Sequence, residues 1–304
     1  MIALASGLSY VDLQFLNTPN VIASVVMQGS GGVAIIDPGP TSTLPVLASH
    51  LDAAGVKLSD VSAVLLTHIH LDHAGATGTL VRAQPKIRVY VHEKGAPHLI
   101  DPSKLLASAA RLYGGDMGRL WGDVLAVPAE NVVALVGGER ITAGERDLEV
   151  AYTPGHASHH VSYFSADTGL ALVGDTAGVR VVRDGVNVPP TPPPDIDLDL
   201  WRASIARIAA WRPETLFLTH FGPHRPVTAH ISDLLDELEH VASLGKASLA
   251  REGTDEDREA WFADEIRRAL RRRMPESDAR AYEVAGRFDL NWRGLARYWR
   301  KRLS

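Results

Sequence analysis

The stretch Thr67-His68-Ile69-His70-Leu71-Asp72-His73 places four metal-ligand side chains within six residues, directly after the apolar, β-branched run Val61 to Leu66. Such a run reads as a buried strand. In extended backbone, residues two apart point to the same side, so His68 and His70 share a direction. Asp72 and His73 follow where the chain is expected to turn into a helix. A solvated polar face does not account for H-x-H-x-D-H at the end of an apolar strand. Convergence of the four side chains on a small volume does.

Three other segments repeat this grammar. Leu148 to Tyr152 runs into Thr153-Pro154-Gly155-His156, Leu170 to Val173 into Gly174-Asp175-Thr176, and Leu216 to Leu218 into Thr219-His220-Phe221-Gly222. Sites in α/β proteins gather at the carboxyl ends of strands. Four strands delivering ligands at one end build one site, with His68, His70, Asp72, His73, His156, Asp175 and His220 as its inventory. Three histidines suit one metal, Asp72, His73 and His220 suit a second, and Asp175 is placed to bridge. Two metals ~3.5 to 4 Å apart can share a hydroxide nucleophile and polarise the scissile group.

The 304-residue chain contains no cysteine, so thiolate ligands and disulfides are excluded. Imidazole and carboxylate donors suit zinc first, with iron or manganese as alternatives, better than copper(I). The net charge of -5 gives no general case for a nucleic-acid or membrane partner. The N-terminus lacks a basic segment and Asp12 interrupts its apolar run. No secretory signal is read there, and a cytoplasmic protein is expected.

Further strands are read at Val21 to Met27, Val33 to Ile36 (paired as a hairpin across Gly29-Ser30-Gly31-Gly32) and Ile87 to Val91, with a helix over Leu44 to Ala54. From Thr228 the pattern becomes helical: Ile231 to Leu244, then Glu256 to Arg302 with breaks at Pro275 and Gly286. These features predict an α/β catalytic domain over 1–227 and a helical subdomain over 228–304. The arginine-rich tail is read as a solvated helical face rather than a nucleic-acid site. The run Val188 to Pro194, mostly proline, cannot enter a helix or a sheet interior. It is expected to overhang the metals, so that deleting it would alter substrate preference rather than metal binding.

The order H-x-H-x-D-H, T-P-G-H, G-D-T and T-H over Asn20 to Pro223 resembles the metallo-β-lactamase superfamily, in its glyoxalase II-like branch. The resemblance implies an αββα four-layer sandwich with the metals at one edge and a C-terminal helical extension. It implies His68, His70 and His156 on one metal, Asp72, His73 and His220 on the other, and Asp175 between. Asp37 and Thr67 would support the ligands from behind, and His160 is read as a structural hydrogen-bonding histidine. Flavodiiron members carry a glutamate where His70 stands, which disfavours that redox chemistry. Glyoxalase II has Gly-Gly-Asn where this chain has Ala74-Gly75-Ala76.

The function these residues imply is dinuclear metal-dependent hydrolysis of an ester, thioester or lactone by a metal-bridging hydroxide. Asp72 would be the catalytic residue that orients the nucleophile or shuttles a proton. Phosphodiester hydrolysis, a persulfide-dioxygenase-type iron enzyme and a nucleic-acid-acting protein are the alternatives. Tyr113, Met117, Trp121, Phe221 and His224, with Arg225, are candidates for the wall of a small-molecule substrate pocket. A homodimer through the helical tail is a further expectation.

Overall fold

The computed structural model describes residues 1–303; Ser304, the last residue of the predicted helical subdomain, lies outside the described residues. The first sheet has seven strands in sequential order: β1 (Ile2–Ala5), β2 (Leu8–Asp12), β3 (Ala23–Gly29), β4 (Gly32–Ile36), β5 (Val61–Leu65), β6 (Arg88–His92) and β7 (Val132–Leu135). Six helices connect or follow its strands: α1 (Leu44–Ala53), α2 (Leu71–Ala74), α3 (Thr77–Ala83), α4 (Ala96–Ile100), α5 (Ser103–Tyr113) and α6 (Met117–Trp121). The second sheet comprises β8 (Arg140–Ala143), β9 (Arg146–Tyr152), β10 (Val161–Ser165), β11 (Leu170–Leu172), β12 (Thr215–Leu218) and β13 (Gly222–His224), in the order β13-β12-β11-β10-β9-β8. Helix α7 (Leu198–Ala210) precedes β12, and α8 (Val227–Leu249), α9 (Asp255–Arg273), α10 (Glu276–Ala285) and α11 (Phe288–Leu303) complete the chain.

Strand alternation assigns the layers. Val25, Met27, Ala34 and Ile36 face Val150, Tyr163, Leu172 and Phe217 of the other sheet and form the central core. Their neighbours Val26 and Ile35 point outward, where Leu47 and Leu51 of α1 and Leu80 of α3 cover them. The outer face of the second sheet, including Phe164, Ala171 and Leu216, is covered by Trp201 of α7 and Leu234 of α8. Because both faces of the central strands β3, β4 and β5 are largely buried, these strands read as nearly continuous apolar runs. The layers are therefore helix, sheet, sheet, helix, as expected.

The predicted strands are all present, shifted by up to two residues at their ends, and the β3–β4 hairpin closes at Gly29 and Gly32. Strands β1, β2, β7, β8, β10 and β13 were not predicted. In β10, Val161-Ser162-Tyr163-Phe164-Ser165, two buried serines interrupt the apolar pattern that marks a strand. The helices after residue 227 share one core with the second sheet: Phe262, Tyr282, Trp292 and Leu295 join Leu216 and Trp201 in a single cluster. No separate core marks the boundary near 228. The tail's guanidiniums are largely paired on the surface, as in Arg271–Glu276, Arg293–Glu259 and Arg300–Asp255. Among the described residues no helix is long and apolar enough to cross a membrane.

Helix α8 is pinned to the loop after β11 by His230, whose Nε2–H donates to the Ala177 carbonyl at 2.8 Å. Burial pushes its ring down to about 3, with Arg180 adding to the effect. The unfolded chain therefore takes up this proton first. Stability is complete above the ordinary histidine pKa of ~6.5 and is lost as pH falls from there toward 3. From pH 7 to pH 5 this one group should remove about 2 kcal/mol. Urea unfolding of His230→Asn at the two pH values should lack that increment; an unchanged pH sensitivity would show that the ring is not held neutral.

Candidate metal centre

All seven predicted ligands come together at one edge of the sandwich. His68 and His70 leave the end of β5, and Asp72 and His73 lie on the single turn of α2. His156 follows β9, Asp175 follows β11, and His220 follows β12. Strands β11 and β12 are parallel, and β9 and β11 are each antiparallel to β10. The three strands of this sheet thus deliver their ligands at the same end. Gly174 allows the close approach this needs: at φ +48, an added Cβ would meet Thr67 Oγ1 at 2.6 Å and His160 Nε2 at 2.7 Å.

Two donor groups result, each with its ligand atoms within 4.8 Å of one another. One is His68, His70, His156 and Asp175; the other is Asp72, His73 and His220. Asp175 faces both. Its Oδ2 lies 3.3 Å from His156 Nε2, while its Oδ1 lies 3.2 Å from His73 Nε2 and 3.6 Å from His220 Nε2. Asp72 Oδ2 is 3.3 Å from His220 Nε2. His68, His73, His156, Asp175 and His220 are buried, whereas the Asp72 side chain is 24 % exposed and His70 is half-buried. The centre opens to solvent on the side of those two residues.

The second nitrogen of each imidazole decides which atom faces inward. His73 Nδ1–H donates to Asp37 Oδ2 at 2.8 Å, His220 Nδ1–H to the Val21 carbonyl at 2.6 Å, and His156 Nδ1–H to the Pro190 carbonyl at 2.8 Å. Thr67 Oγ1 donates to Asp37 Oδ2 at 2.7 Å, which leaves its oxygen to accept from His68 Nδ1–H at 3.1 Å. With Nδ1 committed to donation, each of these four rings turns an Nε2 lone pair toward the centre. His70 instead presents Nδ1, 3.0 Å from His156 Nε2. Among the described residues, His68 Nε2, His73 Nε2 and Asp175 Oδ1 are buried with no hydrogen-bond partner. Inward lone pairs with nothing to accept are what a cation satisfies, so the residues fit the divalent metals that their chemistry implies.

The electrostatics favour neutral rings at His68, His70 and His156 and protonated rings at His73 and His220, where a bound cation would take the proton's place. Burial, with the neighbouring rings adding to it, holds His68 well below the ordinary histidine range, and burial beside His156 pushes His70 down to about 4. His156 is lowered mainly by burial. Burial alone would raise Asp72, yet His73 and His220 outweigh it and bring the carboxyl down to about 2. Asp175 is lowered in the same way by His73, His220 and His156. His73 and His220 are raised against their burial by the carboxylates beside them, Asp175 foremost.

Behind the ligands, Asp37 acts as a hub. Its Oδ1 accepts from Thr67 N–H at 2.8 Å, and its Oδ2 accepts from Thr67, His73 and Thr219. Asp37 itself sits at φ +49, a left-handed conformation uncommon for a residue with a side chain. His160 lies apart from the donor groups: Asp175 N–H donates to its Nε2 at 3.3 Å, and its Nδ1–H donates to Thr153 Oγ1 at 2.9 Å. It therefore holds the backbone of a ligand.

The predicted pocket wall is largely displaced. Trp121 is buried and stacks on Phe15 at 5.7 Å inside the first core. Phe221 packs edge-on against Tyr10 in the central core. His224 lies beside His230, in the wall of a cavity that none of the seven ligands lines. Aromatic residues near a ligand in sequence were here needed to fill space between layers. Met117 packs half-buried against the first core. Tyr113 stands on Trp121 close enough to Asp72 for that carboxylate, after burial, to raise its phenol. His159 was passed over in favour of its neighbour His160. Its ring stacks 6.1 Å from His68 and lies 5.7 Å from His70, with Nδ1 buried and unpartnered.

The Pro-rich run also differs from expectation. Through Pro190 it braces His156 from behind, so its loss should weaken metal binding as well as reshape the site. Asn291 of α11 secures the run: its Oδ1 accepts from Thr191 N–H at 2.9 Å and its carbonyl from Thr191 Oγ1 at 3.1 Å. Asn291→Ala should weaken metal retention by roughly tenfold, the scale of ligand-supporting partners. Competition with a chelator measures this, and unchanged retention would show that the loop stands without the tie.

Sandwich and site together define a protein built around a histidine–aspartate cluster that could hold metal. A sequence profile described as the metallo-beta-lactamase superfamily matches residues 17–220. The chain belongs to the metallo-beta-lactamase superfamily, whose members bind divalent metals and are often hydrolases. It is 27% identical over 251 residues to the metallo-beta-lactamase fold-containing protein ST1585 of Sulfurisphaera tokodaii, covering 81% of this chain and 91% of that one. It is 30% identical over 159 residues to a hydroxyacylglutathione hydrolase of Thermosynechococcus vestitus, covering 52% of this chain and about half, 49%, of the relative. The fold is shared with the metallo-beta-lactamase family protein TTHA1429 of Thermus thermophilus. There the TM-score is 0.71 at 23% identity, with 99% of this chain and 95% of that chain covered.

Proposed function

We propose that the chain is a hydrolase that uses two divalent cations, zinc foremost, to cleave an ester, thioester or lactone. The carrying observation is Asp175, whose two oxygens face the two donor groups separately. Bound there, divalent cations supply Lewis acidity and a water nucleophile at neutral pH. The residues do the rest. The imidazoles of His68, His73, His156 and His220 are oriented before any substrate arrives, because each Nδ1–H is already engaged. Asp72 is the carboxylate that reaches solvent. Held ionised beside His73 and His220, it can orient the attacking water and accept its proton. A carbonyl substrate enters on the side of Asp72 and His70, over the ring of His159. The similarity to a hydroxyacylglutathione hydrolase supports thioesters as the first substrates to test.

Metal-replete protein should turn over one member of a panel comprising a glutathione thioester, an aliphatic lactone, an aryl ester, a β-lactam and an aryl phosphodiester. A chelator should abolish that turnover. A dominant phosphodiester would replace the carbonyl reading, and chelator-resistant turnover would remove the metal from the reaction.

A further inference from the structure

A cavity of about 620 Å³ runs along the open edge of the sandwich, bounded by β1, β13 and the segment 180–185. Its volume lies within the range of small-molecule sites, and none of the seven metal ligands lines it. One wall is apolar, made by Ala3, Ala5, Leu8 and Leu170. The polar lining carries Arg180, Arg183 and Arg225 together with the carboxylates of Asp184 and Asp233, three cations against two anions.

Two of these three guanidiniums differ from those on the C-terminal helices, which are largely neutralised by carboxylates. Arg183 and Arg225 form no ion pair among the described residues; the Nε–H of Arg225 donates only to the hydroxyl of Thr215. Arg180 is 12 % exposed and pairs with Asp233, which is itself 56 % exposed. Its Nε–H is buried with no acceptor. After burial, Arg180 and Arg183 are the cations that press His224 down to about 4, so their fields meet at one ring in the cavity wall. An unpartnered buried N–H costs free energy that an anionic oxygen would recover. Three guanidiniums suit the three oxygens of a phosphate better than the two of a carboxylate.

We propose that this cavity binds the phosphate group of a small phosphorylated molecule. Arg180, Arg183 and Arg225 hold the oxygens, and the organic part rests on Ala3, Ala5 and Leu8. The site is independent of the hydrolytic reading and would stand if that reading failed.

Hydrogen–deuterium exchange of the metal-loaded protein, with ribose 5-phosphate, inorganic phosphate and ribose as probes, tests this. Ribose 5-phosphate should slow exchange in peptides covering residues 1–8, 180–186 and 223–226, and ribose should not. Equal protection by inorganic phosphate keeps the phosphate site and assigns it to the free ion. Calorimetric affinity should fall at least tenfold in Arg183→Met and in Arg225→Met, both exposed side chains, with circular dichroism checking that each variant is folded. It should be unchanged in Arg140→Met, a surface arginine paired with Glu149. Absence of protection, protection confined to residues 67–76 and 153–160, or wild-type affinity in both cavity variants would overturn the proposal.

Discussion

Asp175→Ala should abolish measurable hydrolysis and leave the purified protein with at most one cation per chain. Outer partners of metal ligands are each worth roughly 10- to 100-fold in affinity or activity, and a carboxylate shared by both donor groups should exceed that. Its removal also takes the negative charge from between His73, His156 and His220, three rings whose ligand nitrogens lie within 3.6 Å of its oxygens. The fold should survive, because the backbone of Asp175 stays held, its N–H by His160 and its carbonyl by Gly178 N–H. Elemental analysis and circular dichroism on the same sample separate these effects. Full metal content with retained turnover would remove Asp175 from the centre.

Asp37→Ala should have the largest effect on stability. The carboxylate accepts from Thr67 N–H and from the side chains of Thr67, His73 and Thr219. All are buried, so truncation leaves four donors without water or partner. Breaking a buried charged network from one side costs about 3 to 5 kcal/mol. Metal affinity should fall too, by about 10- to 100-fold, since His73 loses its direct anchor and His68 loses the one relayed through Thr67. Denaturant unfolding with and without added zinc measures both. A loss under about 1 kcal/mol would mean that water replaces the carboxylate.

The ligands were legible because they are polar residues at or just past the end of an apolar strand, a placement that packing alone does not favour. Four such endings in one chain indicated a single end of the strands where the ligands meet. The supporting partners were legible only when they were side chains. Asp37 and Thr67 could be read, but the carbonyls of Val21 and Pro190 carry no residue-type signature, and their roles emerge only with tertiary structure. Trp121 and Phe221 failed as pocket residues for a related reason: the same aromatic surface serves a core or a cavity wall, and sequence does not tell which. The C-terminal helices were legible as helices. Their union with the second sheet was not, because an apolar helical face does not name the surface it covers.

The claim that two cations share one aspartate-bridged centre is tested most directly by anomalous diffraction from crystals of the zinc-loaded protein. Two peaks per chain are expected. One lies among His68, His70 and His156, the other among Asp72, His73 and His220, with the Asp175 carboxylate between them. A single peak at full zinc loading, or peaks away from these side chains, would contradict it.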